Sequence, residues 1–400
     1  MINVDKEFFT ERVISGYSKF SPQSGIPVID PAMVVEFKLG NKFVYKLNNH
    51  HPDTKVLLKV QERLVANFLS NIPLNGAAKA YVVNKSYLDF LEPHRNNYYF
   101  MRVDLKNFFH SISKKLIRDS FGSYFSDEFL DEKMKQRVLN GFVNLVTYQV
   151  PKESKNKVFS GKSILPMGFK TSPVISNIIF RKIDIIIEDY CSQNDIIYTR
   201  YADDMLFSSK SNSESIDLSL DFILFGKSKN KKFSFLHTDR FIQEISLIVN
   251  VIGFKLNKKK TVKATNTLSL NGYTIEGTNY SDGQGSIRIS NKKTYLIGKL
   301  IHELEQHKTA EVIMTKLFDF KVSDKYFNYK PIKKEHVERY CKDQILNKLV
   351  GYRSYLISIL KYDEKYYCID KKSTDKYNKL ISDIERLVLS IQNNVILQNN

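Results

Sequence analysis

Tyr201-Ala-Asp-Asp204 sets two adjacent carboxylates in a short turn between the apolar runs Ile196–Arg200 and Met205–Phe207. Like charges that close raise each other's cost of ionisation, so water must solvate both or a cation must bind them. For an isolated pair, a solvated turn is the ordinary reading. Hard carboxylate oxygens on a rigid hairpin also suit Mg²⁺, which uses few protein carboxylates and completes its shell with water and substrate phosphates. A third acid, Asp104, ends another strand-like run, Tyr98–Val103. If both runs lie in one sheet, Asp104, Asp203 and Asp204 can converge on two ions about 4 Å apart, as phosphoryl and nucleotidyl transfer requires.

The elements that must carry these acids are legible from apolar spacing. Leu57, Leu58, Val60, Leu64, Val65, Phe68 and Leu69 predict a helix over Lys55–Ser70, and Ser172–Tyr190 predicts a long apolar one. Residues 114–150 read as mainly helical, Lys152–Lys162 as a polar loop, and Ile196–Ser208 as strand, tight turn, strand. Pro22, Pro27 and Pro31 exclude a long helix near the start. Residues 209–235, with Lys227, Lys229, Lys231 and Lys232, read as an exposed insertion. Helix resumes near Asp239 and stops at Gly253, short strands follow at Leu268–Ile275 and Ser286–Ile289, and the chain from Lys292 is mostly helical with a break at Tyr326–Pro331.

Composition narrows the partner. Sixty-one basic against 43 acidic side chains leave a net charge of +18, which favours a polyanion because each Lys or Arg at a phosphate releases counterions. An anionic membrane surface fits that number too. Tyrosine (23) and phenylalanine (27) supply rings among the charges, most of them expected in the core. Cys191, Cys341 and Cys368 have no zinc or disulfide spacing. The opening Met1-Ile-Asn-Val-Asp-Lys lacks the pattern of a signal peptide, and no apolar run reaches membrane-spanning length, so a cytoplasmic protein is expected.

Five segments, in order, carry a resemblance to reverse transcriptases. Phe100-Met-Arg-Val-Asp104-Leu-Lys-Asn-Phe-Phe109 resembles their first palm motif, Leu165-Pro-Met-Gly168-Phe-Lys-Thr-Ser-Pro173 the second and Tyr201-Ala-Asp-Asp204 the third. Gly253-Phe-Lys-Leu-Asn257-Lys-Lys-Lys260 is similar to the fourth, and Leu270-Asn-Gly272-Tyr to the hairpin beyond it. The retron and defence-associated bacterial branch is nearest, with fainter similarity at Gln61, before His94 and in Gly351-Tyr-Arg-Ser-Tyr355. The chain departs from the branch at Met167, where many relatives carry Gln, in Phe90-Leu-Glu-Pro-His94, and in Leu270-Asn271-Gly272.

The resemblance implies an α+β right-hand polymerase: fingers over 1–97, an antiparallel-sheet palm over 98–280 with a fingers segment at about 114–164, and a helical thumb and extension over 281–400. It implies catalysis by Asp104, Asp203, Asp204 and Lys260, the last as acid or cation toward pyrophosphate. Two Mg²⁺ ions, with Mn²⁺ as a substitute, are expected on the three Asp and Leu105. Phe109 is expected beneath the incoming sugar, excluding a 2′-hydroxyl, with Met167, Gly168 and either Lys42 or Lys46, on a hairpin at Lys38–Leu47, around the nucleotide. Lys292, Lys293 and Lys299 are expected to track a nucleic-acid backbone, and Tyr352, Arg353 and Tyr355 to stack on or clamp it. For the lysines and the C-terminal tyrosines, a solvated helix face is the plainer reading.

The implied reaction is RNA-directed synthesis of DNA from deoxynucleoside triphosphates, with an associated non-coding RNA as template and a role in antiphage defence. An effector protein, a second polymerase or an oligomer are partners of the same kind; a membrane is not. Untemplated, repetitive or protein-primed synthesis would use the same residues. An RNA-dependent RNA polymerase is disfavoured by Phe109 and by Tyr201-Ala-Asp-Asp204, and a non-catalytic RNA-binding scaffold by retention of the acids and Lys260.

Overall fold

The computed structural model describes residues 3–40, 42–210, 234–278, 283–306, 308–322 and 333–393. The chain divides into two compact units, one of residues 1–90 and 101–263, the other of 91–100 and 264–400. The insertion expected at 209–235 falls largely on 211–233, and the break expected at Tyr326–Pro331 on 323–332; both lie outside the described residues.

The first unit opens with an antiparallel hairpin, β1 (Val34–Leu39) and β2 (Lys42–Leu47), followed by helix α1 (Thr54–Asn67). Next come β3 (Tyr99–Asp104), the short helices α2 (Lys114–Phe121) and α3 (Val138–Val146), and the long helix α4 (Ser172–Ser192). The helical expectation for 114–150 was too simple: between α2 and α3 runs a strand pair, Phe129–Asp131 with Gln136–Arg137. Ser126–Gln136 has few apolar residues, so a helix there would have no face to bury.

Helix α4 has proline in its first turn, where the missing N–H costs nothing, and buries Ile175, Ile179, Ile183 and Ile187 at four-residue spacing. It packs on β4 (Ile196–Tyr201), which pairs with β5 (Asp204–Ser209) in register from Ile196–Ser209 to Tyr201–Asp204. All six residues of β5 are buried, the apolar Met205-Leu-Phe207 together with Asp204, Ser208 and Ser209. Strand β5 lies between β4 and β3 in the central sheet, and helix α5 (Asp239–Asn250) follows.

The second unit has its own antiparallel sheet of β6 (Thr267–Leu270), β7 (Tyr273–Glu276) and β8 (Ser286–Ile289). Helices α6 (Asn291–Glu305), α7 (Ala310–Phe318), α8 (Lys334–Tyr366) and α9 (Lys371–Gln392) complete it. The boundary between the two compact units falls at 263, within the span 98–280 expected for the palm. The sheet belongs with the helices because Ile289 N–H donates to the Tyr377 hydroxyl at 2.8 Å, and Ile287 N–H to the Cys368 carbonyl at 2.7 Å. Residues 91–100 join the same unit, with the Arg95 guanidinium on the Tyr367 carbonyl at 2.7 Å. Among the described residues, no helix is long and apolar enough to cross a membrane.

Candidate active site

The turn between β4 and β5 is only Ala202-Asp203, and Ala202 takes a left-handed φ of 56°. Such tight links join antiparallel strands whose twist matches, at the cost of positive φ. Alternation then separates the two acids. Asp203 lines a cleft of about 600 Å³, while the Asp204 carboxylate accepts from the Arg102 guanidinium at 2.6 and 3.1 Å. Burial pushes the Asp204 carboxyl up; Arg102 opposes this, Asp203 and Asp104 add to it, and the net shift is upward.

Asp104 is delivered from the end of β3. Leu105 N–H donates to the Asp203 carbonyl at 2.9 Å, so the two acid-bearing segments are tied by backbone. On its other side, Asn257 N–H donates to the Asp104 carbonyl at 2.7 Å. The Asp104 carboxylate accepts from Asn257 Nδ2 at 3.1 Å and from Lys260 Nζ at 3.0 Å. Lys260 ends a single 3₁₀ turn, Lys258–Lys260, which the run of three lysines did not reveal as ordered.

From the hairpin, Lys42 Nζ reaches Asp203 at 2.9 Å. Burial alone would lower its pKa; the hydrogen bond and charge of Asp203, with Asp104 and Asp204 behind, hold it above the ordinary lysine value. Lys46 is not on the cleft wall, and its ammonium lies 5.7 Å from the Phe37 ring centre. Of the two lysines, Lys42 is the one placed beside the acids.

Phe109, Leu105 and Met167 line the same cleft. The Phe109 ring meets Tyr81 edge-on at 6.2 Å, whereas the neighbouring Phe108 packs against Phe180 and Phe254. His110 lines it too, held between Tyr45 and Phe159, and burial pulls its imidazole down to about 4, so the ring is neutral. Gly168 has a φ of 120°, and a Cβ there would lie 2.5 Å from the Tyr45 carbonyl oxygen. The close approach that requires glycine is therefore to strand β2, whose Tyr45 N–H donates to the Met167 carbonyl at 2.7 Å. Gly168→Ala is expected to destabilise the protein by about 1–3 kcal/mol through that clash and the disallowed φ, measured as a shifted unfolding midpoint. A midpoint within error of the parent would show that the hairpin yields freely.

Three polar side chains behind the site escaped the sequence reading. Arg200 is wholly buried; it holds Asp184 with two bonds at 2.8 and 2.6 Å and donates to Asn177 Oδ1 and to the Ala202 carbonyl, each at 3.1 Å. The signal was present: a cation in an apolar strand and an acid within Ile183-Asp-Ile-Ile-Ile187 must find each other if both are buried. Arg102 was legible in the same way, two residues before Asp104 and so on the same face of β3.

The acids on the cleft wall, Asp104 and Asp203, offer the oxygen donors that a hard cation needs. Among the described residues, no three acidic, histidine or cysteine side chains meet at one metal-sized point. The carboxylates lie instead on Lys42, Arg102 and Lys260. Mg²⁺ needs only one or two protein carboxylates when phosphates supply the rest, so Asp104 and Asp203 fit it without a closed cage.

The remaining site residues lie in the second unit. Lys292 and Lys293 line a separate cavity, and Lys299 Nζ stands 5.9 Å from the ring centre of the exposed Tyr295. The ring of Tyr352 carries Lys293 at 4.8 Å, Arg353 pairs with Glu385 at 2.6 Å, and the Tyr355 hydroxyl donates to the Gly272 carbonyl at 2.9 Å.

A family model described as "Reverse transcriptase (RNA-dependent DNA polymerase)" matches residues 33–296. The retron Ec73 reverse transcriptase of Escherichia coli is 32% identical over 170 residues, which cover 40% of this chain and 48% of that protein. The retron Ec83 enzyme of the same species is 30% identical over 150 residues, 38% of this chain and 45% of that one. The retron Mx162 enzyme of Myxococcus xanthus is 28% identical over 158 residues, 38% and 31% of the two lengths. The chain thus spans less than half the length of each of these relatives. A telomerase from Candida albicans, solved with a telomeric RNA fragment, is a looser likeness, at 12% identity and a TM-score of 0.40 over 90% of this chain and 63% of that one. The family match runs from the start of the hairpin bearing Lys42, through all three acids and Lys260, into helix α6, and by it the chain belongs to the reverse transcriptase (RNA-dependent DNA polymerase) family.

Proposed function

We propose that the protein is an RNA-directed DNA polymerase that copies an associated non-coding RNA in antiphage defence. The observation that carries the polymerase reading is the shared cleft, where Asp104, Asp203, Lys42, Lys260 and Phe109 line one wall system. The likeness to retron enzymes supports the templated reaction and the associated RNA.

In this reading a primer 3′-hydroxyl attacks the α-phosphorus of a deoxynucleoside triphosphate. A P–O bond forms, the bond to pyrophosphate breaks, and the hydroxyl proton passes to solvent water. Asp104 and Asp203, with the Leu105 carbonyl and Asp204, would hold Mg²⁺, which when bound would supply charge neutralisation and a lowered hydroxyl pKa. Lys42 exchanges Asp203 for the triphosphate oxygens. Lys260, held on Asp104, faces the departing pyrophosphate as a cation or proton donor. The rings of Tyr81 and Phe108, edge-on to Phe109, support it under the sugar.

Purified full-length protein with Mg²⁺, an RNA template, an annealed primer and four deoxynucleotides tests this. The expected product is DNA complementary to the template. Product formed equally without template would favour untemplated synthesis by the same residues, and no product with any primer would favour the scaffold alternative. Sequencing the nucleic acid retained at high salt tests the dedicated RNA: one RNA should survive where bulk RNA is stripped, because stacking and shape recognition resist salt better than charge does. For the defence role, cells carrying the parent and an Asp203→Ala protein should differ in phage plating.

Phe109→Val is expected to admit ribonucleotides. The measurement is the ratio of deoxy- to ribonucleotide incorporation, which should fall by roughly 10²-fold or more, about 3 kcal/mol of discrimination. An unchanged ratio would move the gate elsewhere and reopen RNA synthesis.

A further inference from the structure

Tyr81 belongs to none of the five motifs, yet it stands beside Phe109 in an imposed conformation. Its φ is 60°, in the left-handed region that a bulky residue enters only where its surroundings over-determine it. Those surroundings are well defined. Residues 77–79 run alongside β4: Arg200 N–H donates to the Ala77 carbonyl and Lys79 N–H to the Arg200 carbonyl, each at 2.8 Å. The Ala80 carbonyl accepts from the buried Asn177 Nδ2, also at 2.8 Å. Asn177 has no freedom to turn its amide over, because its Oδ1 accepts from the Arg200 guanidinium at 3.1 Å and a guanidinium only donates. The buried Arg200–Asp184 pair is thus linked, through Asn177, to the residue that precedes Tyr81.

This scaffold delivers a ring. Tyr81 meets Phe109 edge-on with ring centres 6.2 Å apart, and Phe108 meets it edge-on at 5.5 Å. The two neighbours are held by different means. Phe108 is fixed by the core, against Phe180 and Phe254 at 5.7 and 5.4 Å. Tyr81 is 48% exposed, so burial does not account for its strained backbone, and the bonds to residues 77–80 do. Burial and then the charge of Asp203 push the Tyr81 phenol up, in keeping with a place close to the acid-bearing turn.

A phenylalanine excludes a 2′-hydroxyl only if its ring stays in place. A lone ring swings off its rotamer at small cost, and the extra oxygen then fits. We propose that Tyr81 is a positioning residue for Phe109: its ring blocks the retreat of the Phe109 ring and so sets how strongly ribonucleotides are excluded. This inference rests on the reading of Phe109 as the sugar gate and adds a second residue on which the selectivity depends. Asn177 and Arg200 act one step further back, by fixing the segment that carries Tyr81.

The ratio of deoxy- to ribonucleotide incorporation by the full-length protein tests it, with Phe109→Val measured alongside. Tyr81→Ala is expected to lower the ratio by about tenfold, less than Phe109→Val does, and chiefly through a higher kcat/KM for the ribonucleotide. Tyr81→Phe keeps the ring and loses only the hydroxyl, so it should hold the parent's ratio. Tyr81→Gly relieves the backbone but has no ring, so it should fall with Tyr81→Ala. Loss of folded protein lowers incorporation of both nucleotides together and leaves their ratio alone, which separates a positioning role from a structural one. The assignment of Tyr81 is overturned, with the gate intact, if Phe109→Val lowers the ratio and Tyr81→Ala does not, or if Tyr81→Phe falls as far as Tyr81→Ala. If Phe109→Val itself leaves the ratio unchanged, the gate reading fails and this inference fails with it.

Discussion

Replacing Asp203 and Asp204 together by alanine is expected to lower Mg²⁺-dependent incorporation by at least about 10³-fold, roughly 4 kcal/mol of barrier. RNA binding should stay close to that of the parent, because the basic residues named for it lie elsewhere in the chain. The single changes should differ. Asp203 lines the cleft, so Asp203→Ala should remove activity with little loss of stability. Asp204 is mostly buried on Arg102, so Asp204→Ala should also lower the unfolding midpoint by leaving that guanidinium without its carboxylate. Single-nucleotide extension, filter binding and thermal unfolding read the three effects. More than a tenth of parent activity in the double variant would remove these acids from the chemistry.

Arg200→Met should be the most destabilising of the changes considered, by about 3–5 kcal/mol, because it leaves the Asp184 carboxylate charged, buried and without its two-bond partner. The Tyr198 hydroxyl, at 2.8 Å, cannot replace a guanidinium. A second loss falls on the Ala202-Asp203 turn, since the Arg200 guanidinium also holds the carbonyl of Ala202. Asp184→Leu combined with Arg200→Met should recover much of the stability, because an apolar pair of similar volume carries no uncompensated charge. It should not recover the turn. The double variant is therefore expected to fold near the parent's midpoint while incorporating nucleotide more slowly, and denaturation with primer extension separates the two. A single Arg200→Met variant within about 1 kcal/mol of the parent would mean that water or a backbone shift compensates Asp184.

What could be read from the chain were features carried by local periodicity and short spacing. Short apolar runs gave β3, β4 and β5 and put the acids at the end of β3 and at the turn joining β4 to β5; apolar four-residue spacing gave α1 and α4; the order of the five motifs gave the family. These are properties of neighbours in sequence, and neighbours in sequence fix them.

Tertiary structure decided which charges meet. Lys42 and not Lys46 reaches Asp203, because the hairpin folds against the cleft with one end foremost. Gly168 is required by the Tyr45 carbonyl, and the Tyr355 hydroxyl by that of Gly272, pairs far apart in the chain whose geometry no local pattern encodes. The sheet at 267–289 went with the helices because Tyr377 and Cys368 bond its last strand. Arg200 and Asp184 sit between the two cases. Each was visible as a charge within an apolar run, which demands a partner, but only the packing of α4 on β4 made them partners of each other.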